Sequence, residues 1–442
     1  MTSTKSNSKP FHVAVVGGGI AGLTLAIALH YKGISVIVYE QAHAFAEIGA
    51  GVSFGPNAVG AMKYCHEGIY EALTKVWTQN LWPSKEKVWF DYLDGHTHND
   101  DEYQASSEGQ EGRRQKIAFT IYNSLGQTGV HRAHFLDELV KLLPQELAQF
   151  KKHLENIEEQ PNGKLLLSFA DGAKDEADVV IGCDGIKSRV RQILVGEDHP
   201  SARPVFTQKY AYRGLVPMEK AIDAIGEELA SNSCMHMGPN NHMLTFPVNG
   251  GKTLNIVAFH TTDEEWKDYP RLTRDGTREE ALRDFANYGK NVTKLLKLCE
   301  EKLSIWAIFD LRKPVPTYHK GRLAISGDAA HATSPHHGSG AGFCIEDTAV
   351  LATLLSDPRV TSHSDLEAAL STFDAIRRER SQWLVESSRF LGDCYEWRAP
   401  GVGRDFAKIE REINTRNGII YDFDVEWTCK EARELLGEKL GA

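Results

Sequence analysis

Six residues near the amino end, Gly17-Gly18-Gly19-Ile20-Ala21-Gly22, constrain this chain more than any other stretch. A short β-prone run, Phe11 to Val16, leads into them. An apolar helical stretch, Leu23 to Tyr31, follows, and a second strand-like run, Ile34 to Tyr39, closes at Glu40. Strand, glycine turn, helix, strand and acid in this order make a dinucleotide-binding βαβ unit. Gly17 allows the tight turn, Gly19 lets a pyrophosphate reach the backbone, and Gly22 lets the helix pack close to the strand. The helix start offers free N–H groups and the positive end of its dipole to phosphate. Glu40, 18 residues past the last glycine, stands where it can bond ribose hydroxyls.

This unit alone serves FAD and NAD equally, and two later segments separate them. A short apolar strand, Asp178 to Ile181, runs into Gly182-Cys183-Asp184-Gly185. Another, Leu323 to Ser326, runs into Gly327-Asp328-Ala329-Ala330-His331 and on through Pro335-His336-His337-Gly338-Ser339-Gly340-Ala341-Gly342 to a helix over about 343–355. That second glycine-rich stretch can present backbone donors to another part of a long cofactor. Asp328, at a strand end, can accept from a sugar or ribityl hydroxyl. An NAD-dependent dehydrogenase would leave the Gly-Asp segment without a task.

Charge and composition remove other classes. The net charge of −10 argues against nucleic acid or an anionic membrane, since both need a basic footprint. No apolar run approaches the roughly 20 residues a membrane helix requires. Residues Met1 to Pro10 are polar, without the apolar core of a secretory signal, and read as a short disordered tail. The seven cysteines are scattered and odd in number, with no Cys-x-x-Cys pair, which fits a reducing, cytoplasmic setting. No metal-ligand cluster, internal repeat or low-complexity tract is evident. The length of 442 residues suits two or three packed domains.

The three segments together resemble the class A FAD-dependent aromatic monooxygenases, the family of para-hydroxybenzoate and salicylate hydroxylases. Gly17, Gly19 and Gly22 match its glycine fingerprint. Asp184 and Gly185 match its Asp-Gly motif, and Gly327 and Asp328 its Gly-Asp motif. The likeness spans residues 11 to 395. Glu47-Ile48-Gly49-Ala50-Gly51-Val52 resembles the family's segment beside the isoalloxazine ring, which places Gly51 there. Val130-His131-Arg132-Ala133 resembles its arginine-bearing helix start, implying that Arg132 touches FAD. Gly340, Ala341 and Gly342 fall in the stretch that would meet the flavin. Gln41 departs from the pattern, since many relatives carry arginine there.

The resemblance implies an α/β fold: a Rossmann-like FAD-binding domain with an inserted, mainly antiparallel β-sheet substrate domain and C-terminal helices. The expected partition gives residues 1–84, 126–200 and 313–358 to FAD, 85–125 and 201–312 to the substrate domain, and 359–442 to the C-terminal helical region. A strand at 164–169 is expected to return to the cofactor sheet, and residues 96–115 read as an exposed loop or lid. NADH or NADPH would visit transiently to reduce FAD. O₂ would then be activated as a flavin C4a-hydroperoxide, an electrophile that needs an electron-rich ring. The site must therefore favour a phenolate and exclude water.

Two residues are candidates for that task. Pro335-His336-His337-Gly338-Ser339-Gly340 resembles Pro-His-Gln-Gly-x-Gly, a segment close to the reacting ring. His336 either bonds the substrate oxygen and helps move a proton, or merely holds its loop. Arg213, in Ala211-Tyr212-Arg213-Gly214-Leu215, either clamps a phenolate or carboxylate with its planar fork, or pairs with a structural acid or turns to solvent. His236 and Phe246 are weaker pocket candidates, and Trp77, Trp82 and Trp89 read equally as core or as stacking platforms. His331 is expected to be structural and His337 to support its neighbour. Asp365 to Tyr395, charged at Arg377, Arg378, Glu379 and Arg380, reads as a long amphipathic helix that the resemblance packs on the cofactor domain. The last 45 or so residues cap the fold or meet a second subunit, and the charge run reads as a solvated face. Three functions stay open: a salicylate-type hydroxylase yielding catechol, a hydroxylase of a larger phenol, and a flavin-bound protein without turnover. The partner is a small aromatic substrate, and the protein a monomer or homodimer.

Overall fold

A computed structural model describes residues 9–45, 51–96 and 117–441. The tail before Lys9, the Glu47–Ala50 part of the segment matched to the flavin ring, and most of the expected 96–115 loop lie outside the described residues.

The glycine unit forms as its sequence dictates. His12–Val16 and Ser35–Tyr39 pair in parallel, with Val13 opposite Val36 and Val16 opposite Tyr39. The helix between them, Ile20–Tyr31, is apolar almost all round, and nine of its twelve residues are buried. That composition suits a helix covered on several sides rather than an amphipathic surface helix. It packs on Gly340–Ser356, which in turn meets Pro56–Cys65. Val179–Gly182 pairs with the other edge of His12–Val16, and Leu323–Ile325 pairs with Val179–Gly182, both parallel. The two later motifs thus leave strand ends beside the glycine turn. His319–Lys320 and Ala148–Gln149 complete six strands.

The expected strand at 164–169 takes a different place. Leu165–Phe169 joins a separate three-stranded antiparallel sheet with Leu154–Glu159 and Lys174–Ala177. Tight turns at Gly163 and Gly172, both with positive φ, fold it onto its sequence neighbours instead of the cofactor sheet.

An eight-stranded sheet faces the cofactor layer, running in the order Thr273–Thr277, Lys302–Asp310, Val205–Pro217, Thr253–Thr261, Asn241–Val248, Cys234–Gly238, Val88–Asp94 and Ile117–Tyr122. All its pairings are antiparallel except that of Cys234–Gly238 with Val88–Asp94. Asn240 turns the hairpin between Cys234–Gly238 and Asn241–Val248 with φ 62°. One face of the sheet buries Tyr212, Val216, Ile256 and Ile305 against short helices. The other carries Trp89, Phe90, Tyr92 and Met235 toward the C-terminal helices.

The helix His363–Tyr395 spans 33 residues and starts with a reciprocal cap between Ser362 and Asp365. Phe406–Tyr421 and Val425–Leu440 follow and cap the fold, burying Ile409, Ile413, Cys429 and Leu436. The solvated-face reading of the charge run fails at one point. Arg377 is fully buried, bonded to Asp347 at 2.8 Å and to Glu346 at 2.7 Å. Among the described residues no helix is long and apolar enough to cross a membrane.

Candidate active site

Between the two large sheets lies a cavity of about 750 Å³, lined by residues of all three motifs. At its phosphate end, Gly17 has φ 105°, and a Cβ there would stand 2.4 Å from the Cys183 carbonyl oxygen. A Cβ on Gly22 would fall 1.9 Å from the Gly17 oxygen, so only glycine lets the helix start this close to the strand. Gly19 begins the helix without a side-chain cap, leaving donors at the cavity wall. Glu40 accepts from Gly18 N–H and Ala42 N–H, each at 2.7 Å, and lines the cavity as well. It braces the glycine turn through its own oxygens, in addition to the place at the cavity where a ribose contact is expected. Gln41 and His153 also reach this end, bonded to each other at 3.0 Å.

Asp184 takes N–H donors from Arg189 (2.7 Å) and Val190 (3.0 Å) on one oxygen. Its other oxygen is buried with no hydrogen-bond partner and belongs to a cavity-lining residue. Burial pushes this carboxyl above its ordinary range. Gly185 lines the cavity beside it with φ 76°. Asp328 lines the wall, while Gly327, with φ 63°, turns the chain behind it. Gly51, Arg132, Gly340 and Ala341 are lining residues too. Gly342 is not. A Cβ on it would meet Ala58 at 3.0 Å, so its smallness serves packing between helices.

The cradle fits FAD on its own chemistry. A capless helix start suits a pyrophosphate, and an unpartnered buried carboxylate oxygen suits a hydroxyl donor. Behind the Gly-Asp turn stands a buried lattice that the sequence reading missed. Asp347 accepts from Gly327 N–H (3.1 Å), Ser326 Oγ (3.2 Å), His331 Nε2 (2.7 Å) and Arg377 Nε (2.8 Å). Burial pushes the Asp347 carboxyl up, but His331 and Arg377 overcome it and hold it well below the ordinary range. Glu346 takes Asn57, Arg377 and Arg380. The available signal was a Glu-Asp pair inside an otherwise apolar helix.

On the opposite wall, the Arg213 guanidinium lies 4.3 Å from the Trp306 ring centre. Its Nε and Nη1 are buried without hydrogen-bond partners, and among the described residues no acid pairs with it. Burial, with the Arg132 charge added, pushes its pKa down to about 10. Phe246, Trp89, Tyr92, Leu244 and Phe259 supply apolar surface to the same cavity. Phe246 packs into the space that Gly51 and Gly129 leave. Trp77 and Trp82 do not line it.

His336 lines the cavity on the turn Pro335–His337, and both its ring nitrogens lack protein partners. Burial, then the charges of His242 and Lys209, hold its pKa well below the ordinary value. His337 is tied to Ser387 Oγ at 2.8 Å, and His331 is the structural partner of Asp347. His236 does not join the site. Strand alternation turns Met235 to the cavity and sets His236 on the other face, fully buried. Among the described residues no cluster of three metal-binding side chains occurs.

Comparison with known proteins agrees with this cradle. A family model described as an FAD binding domain matches residues 139–388, and a second of the same description matches residues 12–58. The chain is 46% identical over 432 residues to the FAD-dependent monooxygenase pigN of Monascus ruber, covering 96% of each. It is 43% identical to the dual trans-enoyl reductase/FAD-dependent monooxygenase tazHJ of Aspergillus terreus, covering 97% of this chain and 61% of that longer protein. A solved salicylate hydroxylase substrate complex superposes with TM-score 0.83 at 35% identity, covering 96% of this chain and 98% of that one.

Proposed function

Because the chain belongs to the class A FAD-dependent aromatic monooxygenases of the salicylate-hydroxylase type, we propose that it hydroxylates the ring of a phenol held as its anion against Arg213. The observation that carries this reading is Arg213: half-buried and lining the cavity, with Nε and Nη1 buried and unused and no acid to neutralise it. A buried cation without a partner is costly unless a ligand supplies the anion. A phenolate or ring carboxylate does so and takes two charge-assisted hydrogen bonds from the planar fork.

The glycine turn, Asp184 and Asp328 would hold FAD, which, when bound and reduced by NADH or NADPH, would supply an electrophilic oxygen from O₂. Arg213 lowers the pKa of the bound phenol and so raises electron density on the ring. His336, kept neutral by burial, receives the hydroxyl proton. Trp89, Phe246 and Phe259 keep water from the reacting atoms.

Salicylate is the simplest substrate of this description, and the likeness to a salicylate hydroxylase supports it. A second reading, a larger phenol bearing an alkyl or acyl chain, draws on the tazHJ relative. There a trans-enoyl reductase, which saturates such chains, shares one polypeptide with the monooxygenase.

The test is NADH and NADPH oxidation by FAD-loaded protein over salicylate, substituted salicylates and acyl resorcinols, with product and H₂O₂ quantified. Catechol and CO₂ from salicylate with little peroxide supports the first reading. Coupled turnover of the acyl resorcinols with only peroxide from salicylate supports the second. No stimulation by any phenol, with FAD bound, overturns both.

A further inference from the structure

Polar groups continue behind His336, away from the cavity. His242, on Asn241–Val248, is fully buried, and its ring centre lies 5.1 Å from that of His336. Its Nδ1 meets Glu396 Oε1 at 3.0 Å, while its Nε2 has no protein partner. Glu396, fully buried just past the long helix, accepts on its other oxygen from Lys209 Nζ and from Thr261 Oγ1. Lys209 also bonds Asp393 Oδ1 at 3.0 Å, and the Asp393 side chain is 39% exposed. A line of titratable groups therefore runs from the cavity wall to the surface through an otherwise aromatic layer, with Phe259 stacked on His242 at 4.5 Å and Tyr395 beside it at 5.4 Å.

This line is not part of the flavin cradle, since His242, Glu396 and Lys209 do not line the cavity. Apolar residues would fill the same space without the desolvation cost of a buried ion pair. We propose that His242, Glu396 and Lys209 form a proton relay that carries the phenol proton from His336 to Asp393 at the surface. The proposal rests on His336 as the proton acceptor in the reading above.

The step balances as a transfer of one proton with no redox change. The phenol O–H breaks as a His336 N–H forms. His336 then gives a proton to His242 Nε2, the nitrogen left open because Nδ1 faces the carboxylate. The Nδ1 proton passes to Glu396. Lys209 takes it while handing one of its own to Asp393, which loses it to water. Both histidines bind the proton weakly enough to release it. Burial holds both histidines below their ordinary pKa, and for His336 the charges of Lys209, His337 and Arg389 add to that. Burial pushes Glu396 up, but His242 and Lys209 outweigh it and keep it ionised. Tyr395 faces both rings and donates to the His336 carbonyl at 3.3 Å, outside the path.

The experiment uses full-length FAD-loaded protein and the fastest phenol of the panel above. Hydroxylation is followed from about pH 6 to about pH 9.5 in H₂O and D₂O, because loss of a proton pathway is pH-dependent and a packing defect is not. The variants are His242→Phe, which keeps a ring on Phe259, and Glu396→Gln. The double variant Lys209→Met/Glu396→Gln removes both buried charges together, in case the single change fails to fold. The expected result is a ~10- to 100-fold loss at neutral pH, recovered as pH rises, with a solvent isotope effect larger than in the wild type. A loss of equal size at every pH, or wild-type rates in the double variant, overturns the relay alone. A wild-type protein that turns over no phenol overturns the reading beneath it.

Discussion

Arg213 shows how a single side chain can be read for function from its lack of partners. Among the described residues the fully buried arginines are heavily bonded: Arg377 sits between two carboxylates, and Arg191 donates to three backbone carbonyls. Arg213 has an aromatic face on Trp306 and nothing on Nε or Nη1. Replacing it with glutamine removes a charge that the ligand-free protein gains little from. Arg213→Gln should therefore lower kcat/KM for an anionic phenol by ~10- to 100-fold, the worth of a charge-assisted hydrogen bond. Its melting temperature and FAD content should hold or rise, because an unpaired buried charge is gone. Arg213→Lys should recover little, since an ammonium cannot present a planar fork. Steady-state kinetics with thermal melts check this. A destabilised variant with intact kcat/KM would make Arg213 structural.

The long helix positions the site from behind, and it does so through a glycine. Gly392 lies against His336, and a Cβ there would come within 2.4 Å of the imidazole Cδ2. Gly392→Ala gains about 1 kcal/mol of helix propensity but meets overpacking of about 1–3 kcal/mol, so the fold should survive. The His336 ring must move, and hydroxylation should fall ~10-fold or more while FAD stays bound. Unchanged turnover in Gly392→Ala would mean that the place of His336 does not matter. Sequence could not show this contact, because Gly392 and His336 are joined only by tertiary packing, and a glycine within a helical run carries no sign of its neighbour. The Asp347–Arg377 lattice ties two consecutive helices; the Glu-Asp pair in an apolar helix hinted at it, but which basic residue of the next helix answers it is set by how the two helices pack. The glycine turn, by contrast, was legible down to single residues, because strand, turn and helix are adjacent and steric demands at Gly17 and Gly22 are local. His236 marks the boundary between the two cases. Alternation along Cys234–Gly238 is plain, but which phase faces the cavity is set by the neighbouring strands and not by the run itself.

Three buried histidines, His242, His336 and His337, gather where the eight-stranded sheet, the flavin-side turn and the long helix meet, and a fourth, His236, is buried on the other face of that sheet. Burial depresses His236 to about 4 and His337 to about 3, and it lowers His242 and His336 as well. In the unfolded chain each takes up a proton near its ordinary value of about 6.5. Below that pH the unfolded state binds protons that the folded state refuses, so stability is complete above about pH 6.5 and declines as pH falls toward the folded values. Asp184 and Asp310, whose carboxyls burial pushes up, act in the opposite sense, since the folded state there holds protons that the unfolded chain releases. The four depressed histidines outnumber these two carboxyls. Urea unfolding of the FAD-loaded protein should show stability falling from pH ~6.5 to ~5 with a slope steeper than the ~1.4 kcal/mol per pH unit of one histidine. Free FAD must be held constant, because it adds stability by mass action. His236→Phe separates this effect from the chemistry, since His236 faces away from the cavity. Its slope should drop by about one proton while phenol turnover keeps its pH profile. A wild-type stability that is flat or rises on acidification would show that these histidines find proton acceptors in the folded protein.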